Sequence, residues 1–211
     1  MQTNGITTGH MLLMLIMGYL IGSCNFAVIY SRLFKKDDIR KHGSGNAGAT
    51  NVLRTYGKGP AAIVFLLDLL KGVISVLLAK LFFPHTDICA CIAAFGAILG
   101  HNFPCYHGFR GGKGVATSFA VLLVLDWRVA LIALGVFIIV VLITRYVSVS
   151  SISASVAAPA AAIVFRCVNG SVSLAICVFS VCVGILCIVR HKDNIVRLRQ
   201  GKENKIGKRA A

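Results

Sequence analysis

The chain has 211 residues, of which 57% are hydrophobic and only 14% charged, and its mean hydropathy is +0.81. Soluble domains carry about 25% charged residues, so an ordinary soluble enzyme is excluded. Intrinsic disorder, which needs low hydrophobicity and high charge, is excluded as well. The composition fits an all-α integral membrane protein with several spans. Against that background stand 22 Lys and Arg and 7 Asp and Glu, a formal net charge of +15. In a soluble protein this balance would suggest nucleic acid. In a membrane chain it points instead to positive-inside loops and to a site for an anion such as a phosphate.

Seven apolar segments follow one another at residues 9–30, 61–83, 88–100, 114–125, 129–144, 151–165 and 171–189. No Lys or Arg precedes the first, so it lacks the basic start of a signal peptide. The segment 114–125 is short for a span: its helix rises only about 18 Å against a hydrocarbon core of about 30 Å. The preceding loop, 101–113, is therefore expected to dip into the membrane and line a recessed cavity. The segment 151–165 is rich in Ser and Ala, which predicts a helix at the centre of the bundle. Asp68 and Lys71 interrupt the second segment three residues apart, as an ion pair facing the bundle interior would. Placing the N-terminus outside puts eighteen of the 22 Lys and Arg in inside segments and leaves Lys80, Arg128 and Arg166 outside. That asymmetry predicts N-outside, C-inside, and Trp127 at a span end fits an interfacial anchor. The eight cysteines form no CxxC or Cys/His zinc spacing, so they read as small membrane-buried hydrophobes, with no disulfide framework and no metal site.

Three glycine-rich polar segments fall on the predicted inside face. In the first, RKHGSGNAGATNVLR (40–54), Gly43, Gly45 and Gly48 alternate with Ser44, Asn46, Thr50 and Asn51. Glycines let backbone N–H groups approach an anion, hydroxyls and amides add donors, and Arg54 adds a bidentate fork. The second, GHNFPCYHGFRGGKGVAT (100–117), places Gly111, Gly112, Lys113 and Gly114 immediately before a helix, where free N–H groups and the helix dipole attract phosphate. It is not a Walker A loop. The third, RHKDNIVRLRQGKENK (190–205), reads as a basic amphipathic helix in a tail that extends over 190–211. His191 and Asn194 share one face of it at the end of the last span, while Arg197, Arg199, Lys208 and Arg209 fit an ordinary tail on anionic lipid. GxSxG, HExxH and HxxxxD patterns are absent, and Glu203 is the only Glu. The supply is of cations and neutral donors, which suits bringing two anions together with catalysis by positioning and charge stabilisation. A transporter for phosphorylated metabolites and a lipid-binding scaffold are alternative readings of the same loops. A transporter would be expected to carry its polar motifs near the midplane rather than on one side.

At these segments, and in the same order between spans, the sequence resembles the bacterial acyl-phosphate:glycerol-3-phosphate acyltransferases of the PlsY type. GSGNAGATNVLR (43–54), GHNFP (100–104), GGKGVAT (111–117), RYVSVSSI (145–152) and the 190–205 segment carry the likeness, which covers essentially the whole chain, 1–211, as one domain. The resemblance implies a seven-helix enzyme of the bacterial inner membrane. It would transfer an acyl group from acyl phosphate to the 1-hydroxyl of sn-glycerol 3-phosphate, yielding lysophosphatidic acid and phosphate in the first acylation of phospholipid synthesis. No cofactor, metal or nucleic acid is implied. An acyl-phosphate synthase and a 1-acylglycerol-3-phosphate acyltransferase are the implied functional partners. Ser44, Arg54, Lys113, Ser151, His191 and Asn194 match positions that hold substrate polar groups in the family. Of these, Arg54 and Lys113 would grip glycerol phosphate. Ser44, Asn46, Thr50 and Asn51, with the backbone at Gly45, would hold the acyl-phosphate head. Arg40 and Glu203 match further family positions, Glu203 as a structural one. Asn25 stands where many members have Pro, and Arg110 where Lys is frequent. The proton of the attacking hydroxyl would pass to a substrate phosphate or to His191.

Overall fold

The computed structural model describes residues 6–206, and all regular structure among them is helical. The ten α-helices are α1 (Thr8–Ser23), α2 (Phe26–Lys35), α3 (Ala49–Tyr56), α4 (Lys58–Phe82), α5 (Asp87–Asn102), α6 (Val115–Leu125), α7 (Trp127–Thr144), α8 (Val147–Asn169), α9 (Leu174–Arg190) and α10 (Lys192–Arg199). Five stretches among the described residues are long and apolar enough to cross a membrane: Thr8–Lys35, which contains α1 and α2, then α4, Asp87–His107, α7 and α8. The α9–α10 pair, bent by 52° at His191, makes a sixth, and α6 is a shorter apolar helix, as the sequence led one to expect. Lys208 and Arg209 lie outside the described residues.

Three element boundaries differ from the sequence reading, each for a local reason. The first apolar segment is interrupted at Cys24–Asn25, where the Asn25 side chain accepts from the Val28 N–H and starts α2 afresh. Helix α8 begins at Val147, so residues 147–150, read as an inside loop, are its first turn. Their hydroxyls do not break the helix because Ser150 and Ser151 donate to the carbonyls one turn back. The basic helix expected across 190–205 is confined to Lys192–Arg199, since Gly201 (φ 68°) reverses the chain and sends Glu203 inward. Arg197 consequently pairs with Glu203 at 2.8 Å instead of facing lipid headgroups.

The central helix is α5 and not the Ser/Ala-rich α8: 67% of the α5 span is buried inside the protein, against 33% for α8. Helix α8 leaves Val156, Ile163, Val164 and Val168 exposed. On α5, Cys89, Ala90, Ala93, Ala94, Gly96, Ala97 and Gly100 are buried, and α1 exploits them most closely. Gly18 and Gly22 of α1 lie against the backbone of Ala93 and Ala97, while Gly96 and Gly100 of α5 lie against Leu15 and Tyr19. A Cβ at any of these four glycines would collide with a backbone carbonyl oxygen of the facing helix. This reciprocal small-xxx-small seam substitutes for the hydrophobic effect, which cannot drive helix association in lipid.

A second, smaller core of Ala27, Val28, Ile39, Ala47, Val52, Ala61 and Val64 lies beneath the first glycine-rich loop and fixes it to α2 and α4. Asp68 and Lys71 form the expected intramembrane pair at 2.8 Å, both almost fully buried. Replacing Gly96 by Leu is expected to force α1 and α5 apart and lower the thermal unfolding midpoint in detergent by several degrees. The same change at Gly135, where nothing lies within 4 Å of an added Cβ, serves as the control and leaves the midpoint within about a degree.

Candidate active site

The first glycine-rich loop is organised by one amide. The Asn51 side chain accepts from the Ser44 N–H (2.9 Å) and donates to the carbonyls of Ile39 (3.1 Å) and His42 (2.9 Å). Asn25 donates to Ala47 O at 3.2 Å, so the departure from Pro at that position supplies the loop with a further anchor. The loop ends at Gly48, the N-cap of α3, which provides no side-chain cap. The first N–H groups of α3 therefore face outward beside Ala49 and Thr50, which line the adjoining cavity.

The second loop is strapped down over residues 111–114. The Gly111 N–H donates to Asn102 O (3.2 Å) and the Gly112 N–H to His101 O (3.0 Å). The Arg190 guanidinium donates to Gly112 O at 2.8 Å. Gly112 packs so tightly on the His101 ring that a Cβ would collide with Nε2. Gly114 (φ 75°) then starts α6, again with no side-chain cap. The third segment contributes the hinge between α9 and α10. His191 Nδ1 lies 2.8 Å from the Cys187 carbonyl. A carbonyl only accepts, so Nδ1 carries the hydrogen and Nε2 is left bare as an acceptor. Asn194 bonds Lys113 Nζ through its oxygen and Glu203 through its Nδ2 at 2.7 Å. Glu203 also receives Ser148 Oγ (2.9 Å) and Arg197 Nε (2.8 Å).

These three segments converge on one cavity of about 280 Å³. Its polar end is lined by Ser44, Asn46, Thr50, Arg54, Lys113, His191 and Asn194. Its other walls are mostly apolar, with Phe65, Phe119, Leu122, Leu134, Phe137 and Val183 among a few polar side chains such as Ser155 and Ser180. On α9 the lining residues Ser180, Val183, Gly184, Cys187 and His191 recur at helical spacing. From Ser180 to His191 that face runs roughly 16 Å into the bundle. Burial opposes ionisation of Glu203, but the bonds from Arg197, Asn194 and Ser148 outweigh it and hold the carboxyl below its ordinary range.

Of the residues singled out in the sequence, Ser44, Asn46, Thr50, Asn51, Arg54, Lys113, Gly114, Ser151, His191 and Asn194 all line this cavity. Four others do not. Arg40 is bidentate on Asp38 (2.9 and 2.7 Å) and donates to the carbonyls of His107 (2.7 Å) and Arg110 (3.1 Å), so it ties the first loop to the second. The N–H groups of Gly45, Gly111 and Gly112 are already bonded to carbonyls, which leaves them no donor for an anion. Asn51 borders the cavity, but its amide is spent on the loop. Sequence reasoning missed Asp68, His101, Ser148, Ser155 and Ser180 as lining residues. A helical-face count from His191 back along α9 would have found Ser180; the others depend on how the helices cross.

The fold and cavity define a multi-pass membrane protein with an amphiphilic cavity, lined by cations and helix N-termini as well as by an apolar groove. The sequence profile of the family described as "Glycerol-3-phosphate acyltransferase" matches residues 12–201, and the chain belongs to that family. A glycerol-3-phosphate acyltransferase of Prochlorococcus marinus (strain NATL1A) is 46% identical over 197 residues, covering 93% of this chain and 98% of the relative. That of Thermoanaerobacter pseudethanolicus is 44% identical over 196 residues, covering 92% and 94%. Among solved structures, PlsY (YgiH), an integral membrane glycerol 3-phosphate acyltransferase, superposes in its glycerol 3-phosphate form with a TM-score of 0.84 at 38% identity, covering 93% of this chain and 96% of that one. Its lysophosphatidic acid form superposes with a TM-score of 0.81.

Because the Glu203 carboxyl is held low, its bonds stabilise the fold at neutral pH and are lost as pH falls through its folded pKa. The drop in unfolding midpoint on acidification from pH 6 to pH 3 is therefore expected to be smaller in Glu203→Gln than in the wild type. An equal drop in both would show that the carboxyl contributes nothing.

Proposed function

We propose that this protein transfers an acyl group from acyl phosphate to the 1-hydroxyl of sn-glycerol 3-phosphate, releasing lysophosphatidic acid and inorganic phosphate. The observation that carries this reading is the pairing, in one cavity, of two uncapped helix N-termini, at α3 and α6, with two cations, Arg54 and Lys113, above an apolar groove. One N-terminus and Lys113 suit the phosphate of the acceptor, and the other suits the phosphate of the donor, whose chain lies in the groove. The glycerol 3-phosphate and lysophosphatidic acid forms of the related structures support the acceptor and the product of this reading.

Acyl phosphate is a mixed anhydride, so the donor arrives activated and no covalent enzyme intermediate is required. The acceptor hydroxyl oxygen attacks the carbonyl carbon, the bond from that carbon to the phosphate oxygen breaks, and phosphate departs with the electron pair. Arg54, Lys113 and the helix N–H groups stabilise the oxyanion and the leaving phosphate. His191 Nε2 accepts the hydrogen bond of the attacking hydroxyl and orients it. The proton passes to a substrate phosphate, whose second pKa lies near 6. Asn194, held by Glu203, positions Lys113.

In this reading residues 1–211 work as one domain of the bacterial cytoplasmic membrane, with seven spans, the N-terminus outside and the C-terminus inside. α6 is the short seventh span, and the 111–114 strap fills the depth that it does not cover. The chain catalyses the first acylation of phospholipid synthesis, beside an acyl-phosphate synthase and a 1-acylglycerol-3-phosphate acyltransferase.

Purified protein supplied with glycerol 3-phosphate and either acyl phosphate or acyl-CoA is expected to turn over only the former, with phosphate and lysophosphatidic acid formed one to one. Turnover with acyl-CoA alone would remove the donor assignment. The proton assignment has its own check. The acid limb of kcat/KM is expected to stay in place in His191→Gln while kcat falls by about 10² or more. A limb near 6.5 that disappears in this variant would make His191 the base.

A further inference from the structure

Lys113 is carried on the 111–114 strap, and both ends of that strap lead to Asp68. A structural ion pair in a membrane helix needs only two members, and Asp68 already has Lys71 at 2.8 Å, while Lys71 Nζ donates to Cys24 O at the break between α1 and α2. Asp68 has more. His101 Nδ1 lies 3.4 Å from its carboxylate, and the Asp68 carbonyl receives Thr117 Oγ1 at 3.3 Å. His101 is the upstream seat of the strap: its carbonyl accepts the Gly112 N–H, and its ring fills the space beside the Gly112 Cα. Thr117 stands in the first turn of α6, directly downstream of Gly114. Asp68 and His101 also line the cavity that Lys113 enters.

We infer that Asp68 is a positioning residue for Lys113, its carboxylate acting through the His101 ring, while its main-chain carbonyl, which any residue would supply, seats Thr117 at the downstream end of the strap. The ordinary cost of a buried charge explains why Asp68 and Lys71 are paired. It does not explain why the carboxylate also faces the imidazole on which the strap rests. The carboxylate packs against the ring at Nδ1, Gly112 seats against it at Nε2, and the Lys113 ammonium is delivered to Asn194 and the anion. Without the carboxylate the ring is free to turn and the ammonium loses its register. This inference rests on the reading of Lys113 as the grip on the acceptor phosphate.

The test is a double-mutant cycle read by equilibrium binding of glycerol 3-phosphate to the full chain in detergent micelles. Asp68→Asn removes the charge, and the pair Asp68→Asn with Lys71→Met does so without leaving Lys71 unpaired in the membrane. Both are expected to weaken binding about tenfold when Lys113 is present and less than twofold in the Lys113→Ala background. Equal weakening in the two backgrounds, or none in either, would overturn the inference. So would a charge-free double variant that cannot fold, since Asp68 would then be structural alone. Failure of the underlying reading looks different: Lys113→Ala itself would bind glycerol 3-phosphate as tightly as the wild type.

Discussion

Irregular backbone at membrane depth is tolerated only where protein satisfies its polar groups or water fills the space, and this constraint shapes the whole structure. Helix α6 has only 11 residues, and in the seven-span reading the chain entering it crosses the remaining depth as a loop. That loop is held by carbonyls at the end of α5, by Arg190 from α9 and by the His101 ring, which gives it a fixed course. The starts of α6 and α3, where Gly114 and Gly48 supply no side-chain cap, leave unbonded N–H groups beside the cavity, whose lining also includes Arg54 and Lys113.

His191, with Nδ1 committed to the Cys187 carbonyl, presents Nε2 to the cavity as an acceptor. Glu203 keeps its charge through three donors and so holds Asn194, Arg197 and α8 together at the rim. The net charge of +15 accordingly divides into three uses. Arg54 and Lys113 line the cavity; Arg40, Arg190 and Arg197 brace its loops; much of the remainder is a basic loop and tail surface.

Much of the site was legible in the sequence because its residues come in short runs whose chemistry is local. Ser44, Arg54, Lys113, His191 and Asn194 stand in three segments, and each segment announces its polarity against an apolar chain. What was not legible depends on pairs distant in sequence. Arg40 looks like an anion ligand until its bonds to the 107–110 carbonyls are seen, and Asn51 looks like one until the loop absorbs its amide. The glycines at 111 and 112 suggested free N–H groups; they serve a tight seat on His101 instead. Helix α8 looked central by composition, but composition does not say how many faces of a helix are covered, and α5 is the more buried of the two. The extent of α10 turned on Gly201, whose positive φ is available to any glycine and enforced by none.

The central claim is that one cavity holds both anions at once and that the acyl group moves directly between them. Initial-velocity kinetics with acyl phosphate and glycerol 3-phosphate varied together test it most directly. Direct transfer predicts intersecting reciprocal plots and no burst of phosphate when glycerol 3-phosphate is left out. Parallel plots, with a stoichiometric burst of phosphate from acyl phosphate alone, would contradict it and place the acyl group on the protein, with Cys187, beside His191 in the cavity, as the first residue to examine.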